Sequence, residues 1–196
     1  MKKLNKDIVR KICLLTGAFM VVVAIVLLLT FHVNVYTSIE KSSRYVETIQ
    51  NLIPETRGAT PEERRENDLP SLSVDTESFV GILEMPRYQS TLPVGATFGK
   101  TTKFPCLFSG SVYDKTIKIG ATTQKGQFDF YREISLGDSV YFTDMEGNRY
   151  AYSITNIRYE KHATKDVLEE NQSDLTLFVK NIYDYEYLII DCNTAK

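Results

Sequence analysis

The chain of 196 residues (22.4 kDa) contains 43% hydrophobic and 24% charged residues and carries a net charge of −2. This size suits one compact domain with an accessory segment and excludes a large multidomain enzyme. Because 23 Lys+Arg are balanced by 25 Asp+Glu, the chain offers no basic surface for a phosphate backbone, and nucleic acid is not an expected partner.

The first predicted element is a transmembrane helix near the N-terminus. Residues 12–31 contain no charged side chain, and this length of 20 residues matches the roughly 20 needed to cross a bilayer. Five basic residues and one acidic residue precede the run, and the positive-inside bias places that flank in the cytoplasm. We therefore predict a cytoplasmic tail over 1–11, a single membrane span over 12–33 and an extracellular C-terminal domain. A cleaved signal peptide is the alternative, but its apolar region would be shorter, roughly 7 to 15 residues.

A stalk and a linker are predicted after the membrane span. Apolar residues recur at three-, four- or seven-residue intervals, as in an amphipathic helix: Val35, Ile39, Val46, Ile49 and Leu52. Residues 54–70 are charged and interrupted by proline and glycine, which makes them too polar to bury a core. Residues 34–72 are therefore predicted to form a helical stalk and a polar linker, although the apolar stalk face is equally compatible with weak self-association. The chain after Lys11 carries 18 Lys+Arg and 24 Asp+Glu, so we expect it not to adhere to anionic lipid.

Residues 73–196 show the alternation and turn signals of one small β domain. Six strands are predicted, over residues 79–83, 117–119, 140–143, 150–157, 175–179 and 187–192. The turn-rich break at 144–148 indicates a hairpin. Helical pattern is limited to short pieces at 128–134 and 164–169. We predict a mainly β fold that closes, or nearly closes, to hide its strand edges.

Nucleotide and metal chemistry are not expected. Gly95, Gly99, Lys100 and Thr101 resemble a phosphate-binding loop, but three residues separate the two glycines where the motif requires four. We therefore predict no nucleotide. Three cysteines and two histidines are too few for a disulfide framework or a four-cysteine zinc site, so we predict no metal and no cofactor.

Short motifs follow one another through the C-terminal domain in a characteristic order. They are F-V-G-I-L-E-M-P from Phe79, L-P-V from Leu92, P-C-L-F-S-G-S from Pro105, the segment from Phe128 to Asp138, Y-A-Y from Tyr150, K-D-V-L from Lys165 and D-L-T-L-F from Asp174. Their order and spacing over residues 79–192 resemble those of sortases, the membrane-anchored cysteine transpeptidases of Gram-positive bacteria. The resemblance implies a sortase-like closed β-barrel with short helices, preceded by an N-terminal transmembrane helix.

The resemblance also implies three catalytic positions. In sortases a Cys thiolate attacks a backbone carbonyl of a sorting signal, a His transfers protons, and an Arg stabilises the substrate or the oxyanion. Aligned on the motifs, the His position falls on Thr122, the Cys position on Lys180 and the Arg position on Tyr187. Removing even one member of such a constellation costs several orders of magnitude in rate, so these replacements indicate a barrel without transpeptidation.

Other residues are poor substitutes for the missing groups. His162 lies before the predicted short helix, and Cys106 precedes the strand of the His position by a dozen or more residues. Cys192 is expected ~16 Å from the cleft, because it follows Tyr187 by five residues at ~3.3 Å each. A disulfide between the two cysteines stays open, since the sequence does not place their Cα atoms within ~7 Å.

Lys180 is predicted to bind a ligand instead of reacting with it. A desolvated lysine can act as an amine nucleophile, but Asp184 and Glu186 are close in sequence and can pair with its ammonium group. We predict a cleft lined by Thr122, Lys180, Tyr183, Tyr185 and Tyr187, which binds a peptide or a partner protein of the surface-protein anchoring system at the outer face of the cell membrane. The alternatives are an active transpeptidase or hydrolase with a rearranged site, and a structural spacer.

Overall fold

The computed structural model describes residues 6–59, 69–99, 103–161, 173–184 and 186–195. The chain divides into two units, Met1–Ser38 and Ile39–Lys196. One helix, α1, spans Lys6–Leu52, so its first part belongs to the first unit and its last turns belong to the second.

The first unit contains the apolar stretch of α1. Val9–Phe31 is 23 residues long and has a mean hydropathy of 3.0. At ~1.5 Å per residue such a helix exceeds the ~30 Å of a bilayer core, so it is long and apolar enough to cross a membrane. A signal sequence can also satisfy this test of length and composition, and either interpretation agrees with the position of the helix near the N-terminus.

Besides the end of α1, the described residues of the second unit form ten strands and one 3₁₀ turn at Pro86–Tyr88. The strands are β1 (Arg57–Ala59), β2 (Leu72–Val74), β3 (Glu77–Met85), β4 (Ser90–Gly95), β5 (Cys106–Ser109), β6 (Ile117–Thr122), β7 (Ser139–Asp144), β8 (Asn148–Glu160), β9 (Leu175–Lys180) and β10 (Tyr187–Thr194). All six strands predicted from alternation are present, each within one to three residues of its predicted ends.

Eight of these strands close into a ring in the order β3-β7-β8-β10-β9-β6-β5-β4 and back to β3. Most neighbours are antiparallel, while β6 with β9 and β4 with β5 are parallel. The short strands β1 and β2 lie outside this ring, alongside β8 and β3. The predicted mainly β, closed, sortase-like barrel is therefore confirmed, and closure pairs the strand edges that an open sheet would expose.

The barrel interior is filled by the inward side chains of alternate strand positions. In β9, for example, Leu175, Leu177 and Val179 are fully buried in this core. Because successive side chains point to opposite faces, Phe178 and Lys180 lie on the outer face of the same strand. The alternation therefore places every second side chain of β9 on the outer face of the barrel.

A second apolar cluster lies outside the barrel, where the end of α1 packs on β3 and the chain before β5. Ile49 is fully buried there with Phe79 and Phe104, and the Tyr45 ring lies 4.9 Å from the Phe79 ring. Val46 is also buried, whereas Leu52 is 59% exposed. The apolar face that was compatible with self-association is thus partly used for packing within the second unit.

The hairpin at 144–148 is confirmed by the antiparallel pairing of β7 and β8. Asp144 is fully buried at the turn, and its Oδ1 accepts the backbone N–H groups of Glu146 and Asn148 at 2.9 Å each. Such a local carboxylate–backbone arrangement is the reason that aspartate favours turns.

The predicted helical piece at 128–134 is wrong, because this segment forms successive turns. The N–H groups of Tyr131 and Glu133 bond the carbonyls three residues back, and the Phe128 N–H bonds Thr122 O at 3.2 Å. A helix this short does not repay its nucleation, and packing of Phe128 in the barrel core fixes the chain instead. The other predicted piece, at 164–169, lies outside the described residues.

Four strands lack a clear alternating pattern in the sequence. β1, β2 and β5 span only three or four residues, and β4 contains Pro93, which cannot donate to a ladder. β1 lies in the segment predicted as linker, where Arg57 Nε also donates to Asn148 Oδ1 at 2.9 Å. These four strands therefore form because they pair with neighbouring strands, and their own sequence pattern does not predict them.

Candidate functional site

The three positions at which the resemblance places catalytic groups are neighbours in the sheet. Thr122 at the end of β6 is in register with Lys180 at the end of β9, and Lys180 is in register with Tyr187 at the start of β10. Adjacent strands are ~4.8 Å apart, so the three residues form a row ~10 Å long across the outer face. Strand register alone brings together residues that are up to 65 positions apart in the chain.

A groove with a cavity volume of about 280 Å³ contains this row. Its described lining consists of Phe98, Gly99, Phe104, Cys106, Gly120, Ala121, Thr122, Gln127, Phe178, Lys180 and Tyr187. We call four of the buried members, Phe104, Cys106, Gly120 and Phe178, the floor. The more exposed members Phe98, Thr122, Lys180 and Tyr187 are the rim.

Phe108, which is not part of the described lining, packs against two aromatic residues that line the groove. The rings of Phe98, Phe108 and Phe178 lie 5.0 to 5.5 Å apart, two of the three pairs edge-on. These spacings and angles are favourable for aromatic pairs. A methyl group added at Gly120 would lie 2.3 Å from Phe98 Cε2 and 2.7 Å from Phe178 Cε2, so the missing side chain is what lets both rings cover β6.

Polar contacts fix the rim strand ends. The Thr122 N–H donates to Gln127 Oε1 at 3.1 Å, and Gln127 is buried. The Thr123 N–H donates to the Lys180 carbonyl at 3.0 Å, which extends the β6–β9 pairing by one residue. The Lys180 side chain is exposed, whereas Thr122 and Tyr187 are half-buried.

Cys106 lies on the floor of the groove, although in the sequence it precedes the strand of the His position by a dozen or more residues. Its position follows from β5, where Cys106 is in register with both Gly95 and Gly120. Burial, together with the nearby Glu77 carboxylate, raises the pKa of the Cys106 thiol to about 11. The thiol is therefore protonated at neutral pH, and its Sγ donates weakly to Phe104 O at 3.5 Å.

The possible disulfide between Cys106 and Cys192 is absent, because both thiols are free. Cys106 lies in the outer cluster and Cys192 in the barrel core, on opposite faces of the sheet. Burial raises the pKa of the Cys192 thiol far above its ordinary value, so this cysteine is an inert core residue.

The tyrosines proposed to line the cleft do not all do so. Tyr187 lines the groove, Tyr183 is 77% exposed and is not part of the described lining, and Tyr185 lies outside the described residues. Asp184 and Glu186 line a separate cavity of about 120 Å³. The aromatic character of the groove thus comes mainly from phenylalanines and not from the tyrosine-rich loop.

Sequence reasoning missed most of the groove lining outside the row of Thr122, Lys180 and Tyr187. Phe178 has a usable signal, since it is two residues before Lys180 on one strand and must share its face. Phe98, Phe104 and Gln127 lie in connections without periodic pattern, so no comparable signal identifies them. Cys106 lies next to the groove only because β5 pairs with β6.

The described lining of the groove carries few polar groups. They are the Lys180 ammonium, the Thr122 and Tyr187 hydroxyls, the Gln127 carboxamide and the protonated Cys106 thiol. His162 lies outside the described residues, and the described residues contain no group of three or more His, Cys, Asp or Glu that could hold a metal ion.

The closed barrel and its outer groove have the architecture of the sortase-like fold. No protein-family model matches the chain, and no curated protein sequence matches it. Solved structures do match, and the ones described below are all sortases.

Sortase A from Corynebacterium diphtheriae is 14% identical, with a TM-score of 0.53, and the match covers 83% of this chain and 84% of that one. Sortase C-3 from Streptococcus pneumoniae is 17% identical, with a TM-score of 0.53 and coverage of 83% and 84%. Sortase C1 from Streptococcus agalactiae is 16% identical, with a TM-score of 0.52 and coverage of 63% and 71%. At these identities the likeness concerns the fold.

Proposed function

We propose that this chain is a membrane-anchored sortase-like protein that binds an extended peptide or a partner protein in the groove and does not catalyse transpeptidation. The observation that carries the proposal is the row of Thr122, Lys180 and Tyr187 along the groove rim. The sequence resemblance assigns this row to the His, Cys and Arg of the family. None of the three side chains present supplies a thiolate, an imidazole or a guanidinium.

The state of Cys106 supports the absence of catalysis. A nucleophilic thiol needs a thiolate, and thiolates form where a neighbouring cation or base lowers the pKa. Cys106 is instead buried with a pKa of about 11, and Glu77 adds a repulsive negative charge. An active enzyme with a rearranged site would have to reverse this environment.

The proposed location follows from the N-terminal helix. Val9–Phe31 has the length and hydropathy of a membrane span, and basic residues precede it. With that flank in the cytoplasm, the barrel lies outside the cell, where surface proteins are anchored. The partner is then a component of the surface-protein anchoring system.

A labelled sorting peptide and an amine acceptor test the absence of catalysis on the full-length chain in lipid nanodiscs. We expect no ligated or hydrolysed product by chromatography and no covalent adduct by intact-mass spectrometry. Cys106→Ala is the matched variant, because an adduct that disappears in it would identify Cys106 as a nucleophile. Turnover, or such an adduct, would overturn the proposal and favour the rearranged enzyme.

Binding separates a peptide groove from a structural spacer. Pull-down from intact membranes should recover a partner with the wild-type chain, and Lys180→Glu should reduce its recovery because the substitution reverses the charge at the rim. Lys115→Glu is the control, since Lys115 is an exposed lysine in the turn before the opposite end of β6. A spacer would respond to neither substitution.

A further inference from the structure

A second cavity lies between the end of α1 and the barrel, next to the groove but separate from it. Its volume is about 210 Å³, and α1 contributes Ile39, Ser42 and Ser43 to its lining. The 3₁₀ turn, the start of β4 and the connection after β6 supply the other described members. All of them belong to the second unit, and Gln127 alone among the described residues lines both this cavity and the groove. We call it the helix-side cavity.

Neutral polar groups dominate the lining of the helix-side cavity. They are four aliphatic hydroxyl groups and two carboxamides, from Ser42, Ser43, Ser90, Thr91, Gln89 and Gln127. Groups of both kinds can donate and accept hydrogen bonds. Among the described lining residues Asp129 has the only charged side chain, and it is exposed. An anion therefore meets no positive charge here, and one solvated carboxylate attracts a cation only weakly, so the lining favours a neutral ligand with several hydroxyl groups.

The remaining side of the cavity is apolar. Leu92 is buried there, and Tyr88 and Phe130 are half-buried with their rings stacked at 4.5 Å. The Tyr88 hydroxyl is bonded to the Glu133 carbonyl at 2.9 Å and to the Asp138 carboxylate, so Tyr88 offers ring carbons to the cavity. A ligand that fits must therefore carry hydroxyl groups on its edge and carbon-bound hydrogens on its face. The ring of a sugar has both.

The burial pattern gives the cavity a closed end and an open mouth. Ser42, Leu92 and Gln127 are buried, whereas Ser43 and Gln89 are exposed. A volume of about 210 Å³ is below the ~300–1,000 Å³ typical of sites for drug-sized ligands. The cavity therefore has room for one ring and not for a chain of rings.

We infer that the helix-side cavity binds one neutral pyranose ring, a function that does not depend on the ligand of the groove. The C–H face of the sugar packs against Leu92 and the stacked pair of Tyr88 and Phe130. The sugar hydroxyl groups bond to the serine and threonine hydroxyls and to the carboxamides of the lining. At the mouth, the Asp129 carboxylate accepts from a further sugar hydroxyl.

Saturation-transfer-difference NMR on the full-length chain in neutral-lipid nanodiscs tests this inference. The probes are the methyl glycosides of glucose, galactose and N-acetylglucosamine, with sorbitol as an open-chain polyol and methyl glucuronide as an anionic ring. We expect transfer to the ring hydrogens of at least one neutral glycoside, with a Kd on the order of 1–10 mM. Sorbitol and the glucuronide should bind about threefold to tenfold less tightly, because sorbitol lacks the ring face and the glucuronide adds a negative charge beside Asp129. Empty nanodiscs give the background.

Two variants assign the binding to the cavity. Gln89→Gly removes a carboxamide at a position with φ +50°, which glycine adopts without strain, and it should weaken glycoside binding by about threefold or more. Lys115→Gly is the matched control, because Lys115 has φ +55° and does not line the cavity in the described structure. Ser43→Trp should abolish binding by filling the cavity, whereas Glu47→Trp, at another exposed position of α1, should not.

The results have separate consequences. Absence of transfer to all three neutral glycosides would overturn the inference, and so would equal affinity for sorbitol and the glycosides. Glycoside binding that survives both Gln89→Gly and Ser43→Trp would also overturn it, since the sugar would then lie elsewhere. Thermal unfolding verifies that the variants are folded, and Gln89→Gly decides the question if Ser43→Trp is not. Failure of every peptide to bind in the groove would count against the proposed function and leave this inference intact.

Discussion

At the scale of single residues, Asp138 shows how one side chain can order the loops on one side of the barrel. Its carboxylate accepts hydrogen bonds from Arg87 Nη1 at 2.6 Å, from the Tyr88 hydroxyl and from the Ser135 N–H at 2.9 Å. The Tyr88 ring is in turn stacked on Phe130 at 4.5 Å. Asp138 thus joins the 3₁₀ turn after β3 to the connection between β6 and β7.

Replacement of Asp138 by asparagine should lower the free energy of unfolding by about 1–3 kcal/mol at pH 7, because a charged acceptor of three hydrogen bonds is lost. Urea unfolding followed by tyrosine fluorescence, in detergent, measures this difference. Asp129→Asn is the control, since Asp129 is an exposed aspartate of the same connection. An equal effect of both substitutions would contradict the assigned role.

The contribution of Asp138 should also depend on pH. Burial raises the pKa of this carboxyl, but the hydrogen bonds from Tyr88, Arg87 and the Ser135 N–H outweigh burial, and the pKa is lowered overall. A lowered pKa stabilises the fold above the unfolded value of about 3.9, and this stabilisation is lost as the pH falls through the folded value. The stability gap between wild type and Asp138→Asn should therefore be constant from pH 7 to 5 and shrink below about pH 4. If the difference in stability between wild type and Asp138→Asn increased below pH 4, the assigned pKa shift would be contradicted.

At the scale of elements, the last turns of α1 are part of the barrel domain. Ile49 is fully buried with Phe79 and Phe104, and Phe104 also forms the floor of the groove. The Tyr45 ring contacts Phe104 edge-on at 6.0 Å. The helix end and the groove therefore share one aromatic side chain.

Ile49→Ala should destabilise the barrel by about 2–5 kcal/mol, as expected for a large-to-small change at a fully buried position. Leu52→Ala on the same helix should cost less than about 0.5 kcal/mol, because Leu52 is 59% exposed. Thermal unfolding of the two variants in detergent compares them directly. Equal melting temperatures would show that the helix end does not stabilise the barrel.

The connection after β6 contacts the same helix through a glycine. Gly126 has φ +83°, and a Cβ at this position would lie 2.5 Å from Ile39 Cγ1. Gly137 has φ +85° with no atom within 4 Å of its added Cβ, so it is a control with the same backbone strain and no collision. Gly126→Ala should therefore be more destabilising than Gly137→Ala by about 1–2 kcal/mol. The difference should decrease when Ile39→Ala is added, and a difference that persists unchanged would exclude the Ile39 contact as its cause.

At the scale of the whole molecule, the sequence predicts more of the fold than of the residues that line the groove. Alternation identifies the six strands that bury one complete face, because burial imposes a period of two on them. β4 and β5 escape this pattern since Pro93 and short length weaken the local signal, and they are held by neighbouring strands. The rim row of Thr122, Lys180 and Tyr187 follows from the resemblance and from strand register.

The rest of the groove lining could not be predicted in the same way. Phe98 and Gln127 reach the groove from connections whose course depends on tertiary contacts, and such contacts leave no period in the sequence. The place of Cys106 on the floor was not predicted, because its separation in sequence from β6 does not indicate that β5 pairs with β6. The short helical pattern at 128–134 failed for the related reason that core packing of aromatic side chains outweighed local propensity.

Closure of the barrel has a narrow junction between β4 and β5, where the described residues form a single pair in register, Gly95 with Cys106. Its described backbone bond runs from the Gly95 N–H to Pro105 O at 2.8 Å, and Phe104 and Cys106 beside it form part of the groove floor. Amide protons at this junction should exchange with deuterium sooner than those of β9 and β10, which are paired over six positions. A ligand bound on the floor would stabilise the strands on both sides of this junction. Ligand binding should therefore slow the exchange of the amide protons there.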